Sequence, residues 1–126
     1  MTRGIITAAM AVHSKLGPGF LESVYESAPV TELEARRHKV ERQVAFEVIY
    51  LGRPMTGGMR VDVIVDRAVI VEVKSVPRIL NVHKAQCLSY LRASNLGIGL
   101  VINFGVHHLR DGLARVYNFS APTPII

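Results

Sequence analysis

Two carboxylates and an amine stand where the chain is otherwise most hydrophobic. Asp62, Glu72 and Lys74 lie within residues 61–74, a segment that consists largely of Val and Ile. Segments of this composition form buried strands, and a buried charge without a partner is costly. A divalent cation held by the two carboxylates, with the lysine beside it, would offset that cost. An ordinary salt bridge from one carboxylate to Lys74 is the alternative.

The loop between the two strands decides whether the carboxylates can act together. We predict strands over residues 61–65 and 69–74, joined as an antiparallel hairpin. Paired positions in such a hairpin have a constant sum of residue numbers, so a three-residue loop places Asp62 opposite Glu72 on one face. A two-residue loop turns Glu72 to the other face. A site that uses both carboxylates therefore requires the three-residue loop or a bulge.

Length and composition are typical of a single folded domain. The chain has 126 residues, of which 49% are hydrophobic, so we expect one domain over residues 1–126 with a substantial core. The single cysteine, Cys87, excludes an internal disulfide and a CxxC metal site, which favours a cytoplasmic protein. No hydrophobic segment is long enough to span a membrane, so we expect no membrane association.

The positive charge is concentrated in the second half of the chain. Residues 1–73 carry nine Lys or Arg and nine Asp or Glu, whereas residues 74–126 carry six Lys or Arg and one Asp. The whole net charge of +5 therefore arises after Glu72. A basic half beside a carboxylate cluster suits a polyanion such as DNA or RNA. The alternative is that this charge only keeps the protein soluble.

The hydrophobic periodicity predicts three helices and five strands. The helices are predicted at residues 4–16, 20–37 and 82–94, and the strands at residues 44–50, 61–65, 69–74, 98–104 and 113–119. This order, with a three-strand meander before the third helix, predicts a mixed β-sheet flanked by helices, in the α/β or α+β class. Asn81 is expected to cap the third helix, which should end near Gly97.

The second and third predicted helices carry polar groups at helical spacing. The inner stripe of the second helix is expected to be Leu21, Val24, Ala28 and Leu33. Gly19, Glu22 and Tyr25 follow one another at a spacing of three residues. This spacing places the three on one face of the helix, adjacent to its inner stripe. Pro29 removes a backbone hydrogen bond, so we expect a kink or break near Ala28. In the third helix, Gln86 and Tyr90 belong to a polar stripe.

The ordered set of Asp62, Glu72-x-Lys74 and Gln86-(x)3-Tyr90 resembles the PD-(D/E)XK nuclease superfamily. The resemblance implies its restriction-endonuclease-like αβββαβ core, and it extends from about residue 5 to residue 118. The residue before Asp62 is Val and not Pro, a departure that this diverse superfamily tolerates.

The resemblance implies a metal-dependent phosphodiesterase site. Asp62 and Glu72 would hold Mg²⁺ or Mn²⁺, and the carbonyl of Val73 could add a ligand. Lys74 would orient a water molecule or stabilise the charge on the reacting phosphate. Oxygen ligands without a Cys or His cluster favour Mg²⁺ over Zn²⁺.

Further site residues come from the two flanking helices. Residues 19–25 are similar to the signature that names the GxxExxY protein family, which lies within the same superfamily. Glu22 matches the helix acid of such nucleases. Gln86 and Tyr90 match a helix motif that flanks the metal and the scissile phosphate, so we count all three among the candidate catalytic residues.

Three functions are compatible with these features. The first is a nuclease or related phosphodiesterase that acts on DNA or RNA. The second is a nucleic-acid-binding protein that keeps the fold without significant catalysis. The third is a metal-binding protein that assembles with a protein partner, and a homodimer remains open. The retained carboxylates and lysine favour the first.

Overall fold

The protein was analysed as a computed structural model that describes residues 2–121. The helices are α1 (Thr2–Leu16), α2 (Glu22–Ala35) and α3 (Asn81–Ser94). The strands are β1 (Val40–Phe46), β2 (Ile49–Tyr50), β3 (Arg53–Pro54), β4 (Met59–Val65), β5 (Val69–Lys74), β6 (Ile98–Asn103) and β7 (Leu113–Tyr117). A short 3₁₀ helix, Leu109–Gly112, precedes β7. No helix among the described residues is long and apolar enough to cross a membrane.

A mixed five-stranded sheet is the centre of the molecule. Its strand order is β1-β4-β5-β6-β7, and β2 and β3 form a separate small hairpin. The neighbours β5 and β6 are parallel, whereas the other pairs are antiparallel. The parallel pair is joined through α3, as a crossover connection requires. The predicted class, α+β with a mixed sheet flanked by helices, is therefore confirmed.

Helices α1 and α2 cover one face of the sheet, and α3 covers the other. Val69, Val71 and Val73 of β5 belong to the hydrophobic cluster that contains the buried residues of α1 and α2. Ile70 of β5 belongs to the second cluster, together with buried residues of α3. Because side chains alternate along a strand, Glu72 faces the α3 side with Ile70. The site predicted from the sequence at Glu72 is therefore expected on the α3 side of the sheet.

The strand predicted at residues 44–50 is displaced. It begins at Val40 and ends at Phe46, because this segment pairs with β4 from Val40 opposite Val65 to Phe46 opposite Met59, with Gln43 and Asp62 outside the paired positions. The alternating apolar side chains at residues 48–50 continue the pattern in sequence but are exposed. They belong to the β2–β3 hairpin, which lies outside the main sheet.

The predicted inner face of α2 is partly wrong. Leu21 is 77% exposed and precedes the helix, whereas the buried residues are Tyr25, Pro29, Val30 and Leu33. The helix does not break near Ala28 but continues through Pro29. A proline costs the helix one backbone hydrogen bond. Here the burial of its ring and of its neighbours in the core offsets that loss.

The bounds of α3 agree with the predicted 82–94 to within one residue, but its capping residues differ from the prediction. Asn81 is the first helical residue and not the cap, and the backbone N–H of Leu80 donates to Nδ1 of His83, 2.9 Å away. The helix is closed by Asn95 in the left-handed conformation, with φ of 60°, two residues before Gly97. Asparagine tolerates this conformation better than most residues, which makes it a suitable C-cap.

Candidate active site

The β4–β5 hairpin has the register that the site requires. Val65 pairs with Val69, Ile64 with Ile70 and Val63 with Val71. The three-residue loop, residues 66–68, turns through two left-handed residues, Asp66 and Arg67, with φ of 53° and 52°.

The loop is also anchored to the chain before β1. The carboxylate of Asp66 accepts a hydrogen bond from the Lys39 backbone N–H at 2.9 Å and contacts Nδ1 of His38 at 2.8 Å. The predicted three-residue loop and the pairing of Val65 with Val69 are confirmed, and the register that they set runs toward Asp62 and Glu72.

The two strands separate at the carboxylates. Their backbone pairing ends at Val63 and Val71, although both strands continue. Beyond that point, Oε1 of Glu72 accepts a hydrogen bond from the Asp62 backbone N–H at 3.3 Å. Oδ2 of Asp62 accepts one from the Val73 backbone N–H at 3.2 Å. The two side-chain carboxylates thus form the hydrogen bonds between β4 and β5 at the point where the backbone ladder has ended.

The carboxylate of Glu72 is in an unfavourable environment for its charge. The residue is 4% exposed. Burial, and then the nearby Asp62 carboxylate, raise its pKa to about 8, and the more weakly felt charge of Lys74 acts in the opposite direction. Two acidic groups that repel each other in a buried setting would be stabilised by a bound cation.

Lys74 ends β5 at a firmly held position. Its carbonyl accepts a hydrogen bond from the Phe104 N–H at 2.8 Å, and it pairs with Asn103 in the parallel ladder. The fully buried Asn103 then fixes the next loop: its Oδ1 accepts from the Val76 N–H at 3.0 Å, and its Nδ2 donates to the Val76 carbonyl at 2.8 Å. No motif in the sequence points to this role of Asn103.

The predicted residues of α3 lie on the side of the sheet that Glu72 faces, where Tyr90 packs against the cluster that contains Ile70. Nε2 of Gln86 donates to the hydroxyl of Tyr90 at 2.8 Å. Burial, and then the charge of Glu72, raise the pKa of Tyr90. Cys87, between them in sequence, is fully buried, and burial together with Glu72 raises the pKa of its thiol to about 12. Cys87 therefore packs as a small buried group in the cluster that α3 forms with the sheet.

A glycine allows α3 to approach the sheet closely. A Cβ atom on Gly99 of β6 would lie 2.5 Å from Sγ of Cys87, closer than any real contact. Any larger residue at position 99 would push α3 away from β6. The close approach holds Gln86 and Tyr90, on either side of Cys87, near the carboxylate pair.

Glu22 is separate from the carboxylate pair. It is the first residue of α2 and is exposed, whereas Tyr25 is fully buried and Gly19 precedes the helix. The three therefore do not share the face that the spacing predicted. The start of α2 nonetheless lies beside the end of β5, because the hydroxyl of Ser75 donates to the Phe20 carbonyl at 3.4 Å.

The donor set suits a hard divalent cation that keeps part of its water. Within residues 2–121, no three His, Cys, Asp or Glu side chains lie close enough together to hold a metal ion by themselves. Mg²⁺ is usually bound by one or two carboxylates, with waters and substrate phosphates completing its coordination. The oxygens of Asp62 and Glu72 fit that pattern and do not fit a structural zinc site, which needs four protein ligands.

A cleft lies away from these carboxylates. A cleft of about 610 Å³ is lined by residues of α1, by Gly17 and Pro18, and by residues 107–110. No carboxylate and none of the predicted site residues line it. We place the candidate site at Asp62 and Glu72, because hydrolysis needs their chemistry and a phosphodiester backbone can be bound on an open surface.

The raised pKa of Glu72 predicts that stability falls as the pH rises. Its pKa changes from the ordinary 4.5 to about 8 on folding, so between these values the folded protein holds a proton that the unfolded chain releases. The corresponding stability is complete below about pH 4.5 and is lost as the pH rises toward 8. Thermal melts of wild type and Glu72→Gln in a chelator, over this range, should show a decline that the variant lacks. Parallel declines in both proteins would contradict this assignment.

The comparisons with known proteins give one result. A sequence model described as the PD-(D/E)XK nuclease superfamily matches residues 1–116, nearly the whole chain. Neither the search of curated proteins nor the search of solved structures found a match. The matched region includes all of the candidate site residues.

Proposed function

This chain belongs to the PD-(D/E)XK nuclease superfamily, and we propose on that basis that it is a metal-dependent nuclease that hydrolyses phosphodiester bonds of DNA or RNA. One observation carries the proposal. At the point where β4 and β5 separate, the carboxylates of Asp62 and Glu72 occupy the gap between the strands. Lys74 lies two residues farther along the same face. This is an arrangement that can hold a cation, a phosphate and an attacking water together.

The cation in this proposal is Mg²⁺ or Mn²⁺. Asp62 and Glu72 would hold it, and the Val73 carbonyl would add a ligand. A divalent ion bound here would polarise the phosphate and lower the pKa of a bound water. Lys74 would contribute a fixed positive charge to the phosphoryl oxygens, and this interaction strengthens as negative charge develops in the transition state.

The remaining candidate residues would orient the substrate. Gln86 and Tyr90, joined by their hydrogen bond, would position the scissile phosphate from the α3 side. Glu22 would act from the start of α2, where an exposed carboxylate can hold a water molecule. We further propose that the chain belongs to the GxxExxY group. In support, the hydroxyl of Tyr25 donates to the Gly17 carbonyl and so fixes the loop before Glu22.

The direct test is cleavage of a mixed substrate pool. Single- and double-stranded DNA and RNA are incubated with the protein in Mg²⁺, in Mn²⁺ and in a chelator, with Asp62→Asn as the control protein. Cleavage that needs the metal and is lost in Asp62→Asn supports the proposal. Binding without cleavage of any member would instead favour a protein that keeps the fold and only binds nucleic acid.

The charge distribution predicts salt-sensitive binding. Arg78, Lys84 and Arg92 are exposed in the basic half of the chain, and they take part in none of the ion pairs between described residues. Each phosphate that such a residue neutralises contributes about 0.9 to the slope of log affinity against log salt. Replacing any of the three with Gln should reduce that slope by about one and weaken binding.

Fluorescence anisotropy with labelled DNA and RNA over a salt series measures this effect. Arg36→Gln is the matched control, because Arg36 is already paired with Glu32 at 3.1 Å, just beyond the far end of α2. Binding that does not change with salt would favour a protein partner over nucleic acid.

A further inference from the structure

Phe20 is an exposed aromatic residue whose backbone is held on both sides. Its N–H donates to the hydroxyl of Tyr25 at 3.0 Å, and its carbonyl accepts from the hydroxyl of Ser75 at 3.4 Å. Its ring contacts the Tyr25 ring edge to face, with centroids 6.1 Å apart. The residue is nevertheless 49% exposed. Few exposed apolar side chains in a loop are fixed by so many contacts.

The support beneath Phe20 is itself rigid. Tyr25 is fully buried, and its ring stacks on the buried Phe104 with centroids 4.9 Å apart and planes 6° from parallel. Its hydroxyl also donates to the Gly17 carbonyl. Phe20 therefore rests on the hydrophobic core, and about half of the residue is open to solvent. Such a ring loses little conformational freedom when it binds a flat ligand.

The position of Phe20 connects it with the candidate active site. Ser75, which holds its carbonyl, directly follows Lys74. Two residues after Phe20, α2 begins at Glu22. Asn103, which pairs with Lys74, holds the loop after Ser75 in place. Phe20 thus lies beside the end of β5 that carries Lys74, since its partner Ser75 is one residue from Lys74 in the sequence.

We propose that Phe20 stacks on an unpaired nucleobase next to the scissile phosphate, and that the substrate strand is therefore single-stranded at this point. The proposal rests on the proposed function, because it takes the phosphate at Lys74 as its reference. In a duplex, neighbouring base pairs cover both faces of each base. An unpaired base offers a free face, and stacking on an aromatic side chain is a common way to bind it.

The charge of the surroundings favours a nucleobase over an apolar group of a protein partner. Arg78, in the loop that Asn103 holds, is exposed, and the whole net positive charge of the chain lies from Lys74 onward. An aromatic ring beside cationic side chains is the combination used by proteins that bind single strands. A protein partner that offered only apolar side chains would provide no negative charge to pair with these cationic side chains.

Two substitutions at Phe20 and one matched control test the proposal. Phe20→Leu removes the aromatic face and keeps an apolar side chain, whereas Phe20→Trp enlarges the face. Phe119→Leu is the control, because Phe119 is 92% exposed and also stacked on a tyrosine, Tyr117. Tyr117 pairs with the first residue of β6, whereas Lys74 pairs with the last. The control is therefore at the opposite end of the sheet.

Binding is measured in the Lys74→Met background with Mg²⁺, so that cleavage does not interfere. The probes are labelled single strands, the matching duplexes and single strands in which one base at a time is replaced by an abasic site. Phe20→Leu should weaken single-strand binding by roughly tenfold, and Phe20→Trp should retain or strengthen it. Duplex binding and the Phe119→Leu control should change less than about twofold. Thermal melts confirm that each variant is folded.

The abasic strands identify the stacked base. At one position, an abasic site should weaken binding by the Lys74→Met protein with Phe20 intact, and should have no further effect once Phe20→Leu is present. Equal losses on single strands and duplexes, no loss with Phe20→Leu, or no binding to any strand would each overturn the proposal.

The test separates this inference from the proposed function. Metal-dependent cleavage by wild type with no effect of Phe20→Leu on binding overturns the stacking alone. Base-dependent binding through Phe20 in a protein that cleaves nothing overturns the nuclease activity and leaves the stacking in place.

Discussion

Replacing Lys74 with methionine should lower metal-dependent cleavage by roughly 100-fold or more, the effect expected when one fixed electrostatic stabiliser of a transition state is removed. Lys74 is half-buried at the end of β5, where the Phe104 N–H holds its carbonyl at 2.8 Å. Methionine keeps most of the side-chain length and removes the charge. Because the interaction strengthens as charge develops on the phosphate, the rate should fall far more than the affinity.

Turnover and affinity must be measured separately for this test. The expected result is a large fall in kcat with a small change in Kd for the same substrate. Lys39→Met is the matched control, because Lys39 is exposed and lies at the loop end of the β4–β5 hairpin, where its N–H donates to Asp66 at 2.9 Å. It should cleave as wild type does. A Lys74→Met protein with the wild-type rate would show that Lys74 has no catalytic role.

The order of elements could be predicted from the sequence because its hydrophobic runs are regular. The register of the β4–β5 hairpin followed from parity and loop length alone, since a buried strand cannot slip by one residue without reversing its faces. The strand at residues 44–50 was misplaced for a related reason. An alternating pattern of apolar residues does not show where a strand stops pairing. The bounds of β1 depend on its pairing with β4, a separate segment of the chain.

Residues that fix the loops and helix ends around the candidate site were the hardest to predict. Asn103 bonds to the backbone of Val76, 27 residues away in sequence. No local spacing reveals such a contact. The available signal was that Asn103 is the only polar side chain in residues 98–104, where an unpaired amide would be costly. His83, the third residue of α3, similarly accepts a hydrogen bond from the backbone N–H of the N-cap residue Leu80, at the position where the usual capping box has Glu or Gln.

The relation of Glu22 to the carboxylate pair also depends on tertiary structure. Spacing placed it on one face with Gly19 and Tyr25, but the chain enters α2 from an extended residue just before Glu22. The buried Tyr25 therefore acts on the entering loop, through the Gly17 carbonyl and the Phe20 N–H. Of this motif, the tyrosine is structural and only the glutamate remains exposed for chemistry.

Mn²⁺ should stabilise the wild-type protein strongly and should not stabilise Asp62→Asn. An ion that binds only the folded state stabilises it by about 2.7 kcal/mol at a concentration of 100 times Kd. For a chain of this size the melting temperature should rise by about 10 °C. Binding of the ion also offsets the burial and the Asp62 charge that raise the pKa of Glu72 in the metal-free protein.

Asp62→Asn separates metal binding from packing. Asparagine has nearly the shape of aspartate and retains an oxygen that can accept from the Val73 N–H, as Oδ2 of Asp62 does at 3.2 Å. It also removes the charge that opposes ionisation of Glu72, so the metal-free variant should melt no lower than wild type. Asp111→Asn, an exposed carboxylate outside the candidate site, should keep the full response to Mn²⁺. An equal rise in melting temperature for Asp62→Asn and wild type would show that the ion binds elsewhere, and the same variant should then retain any metal-dependent cleavage.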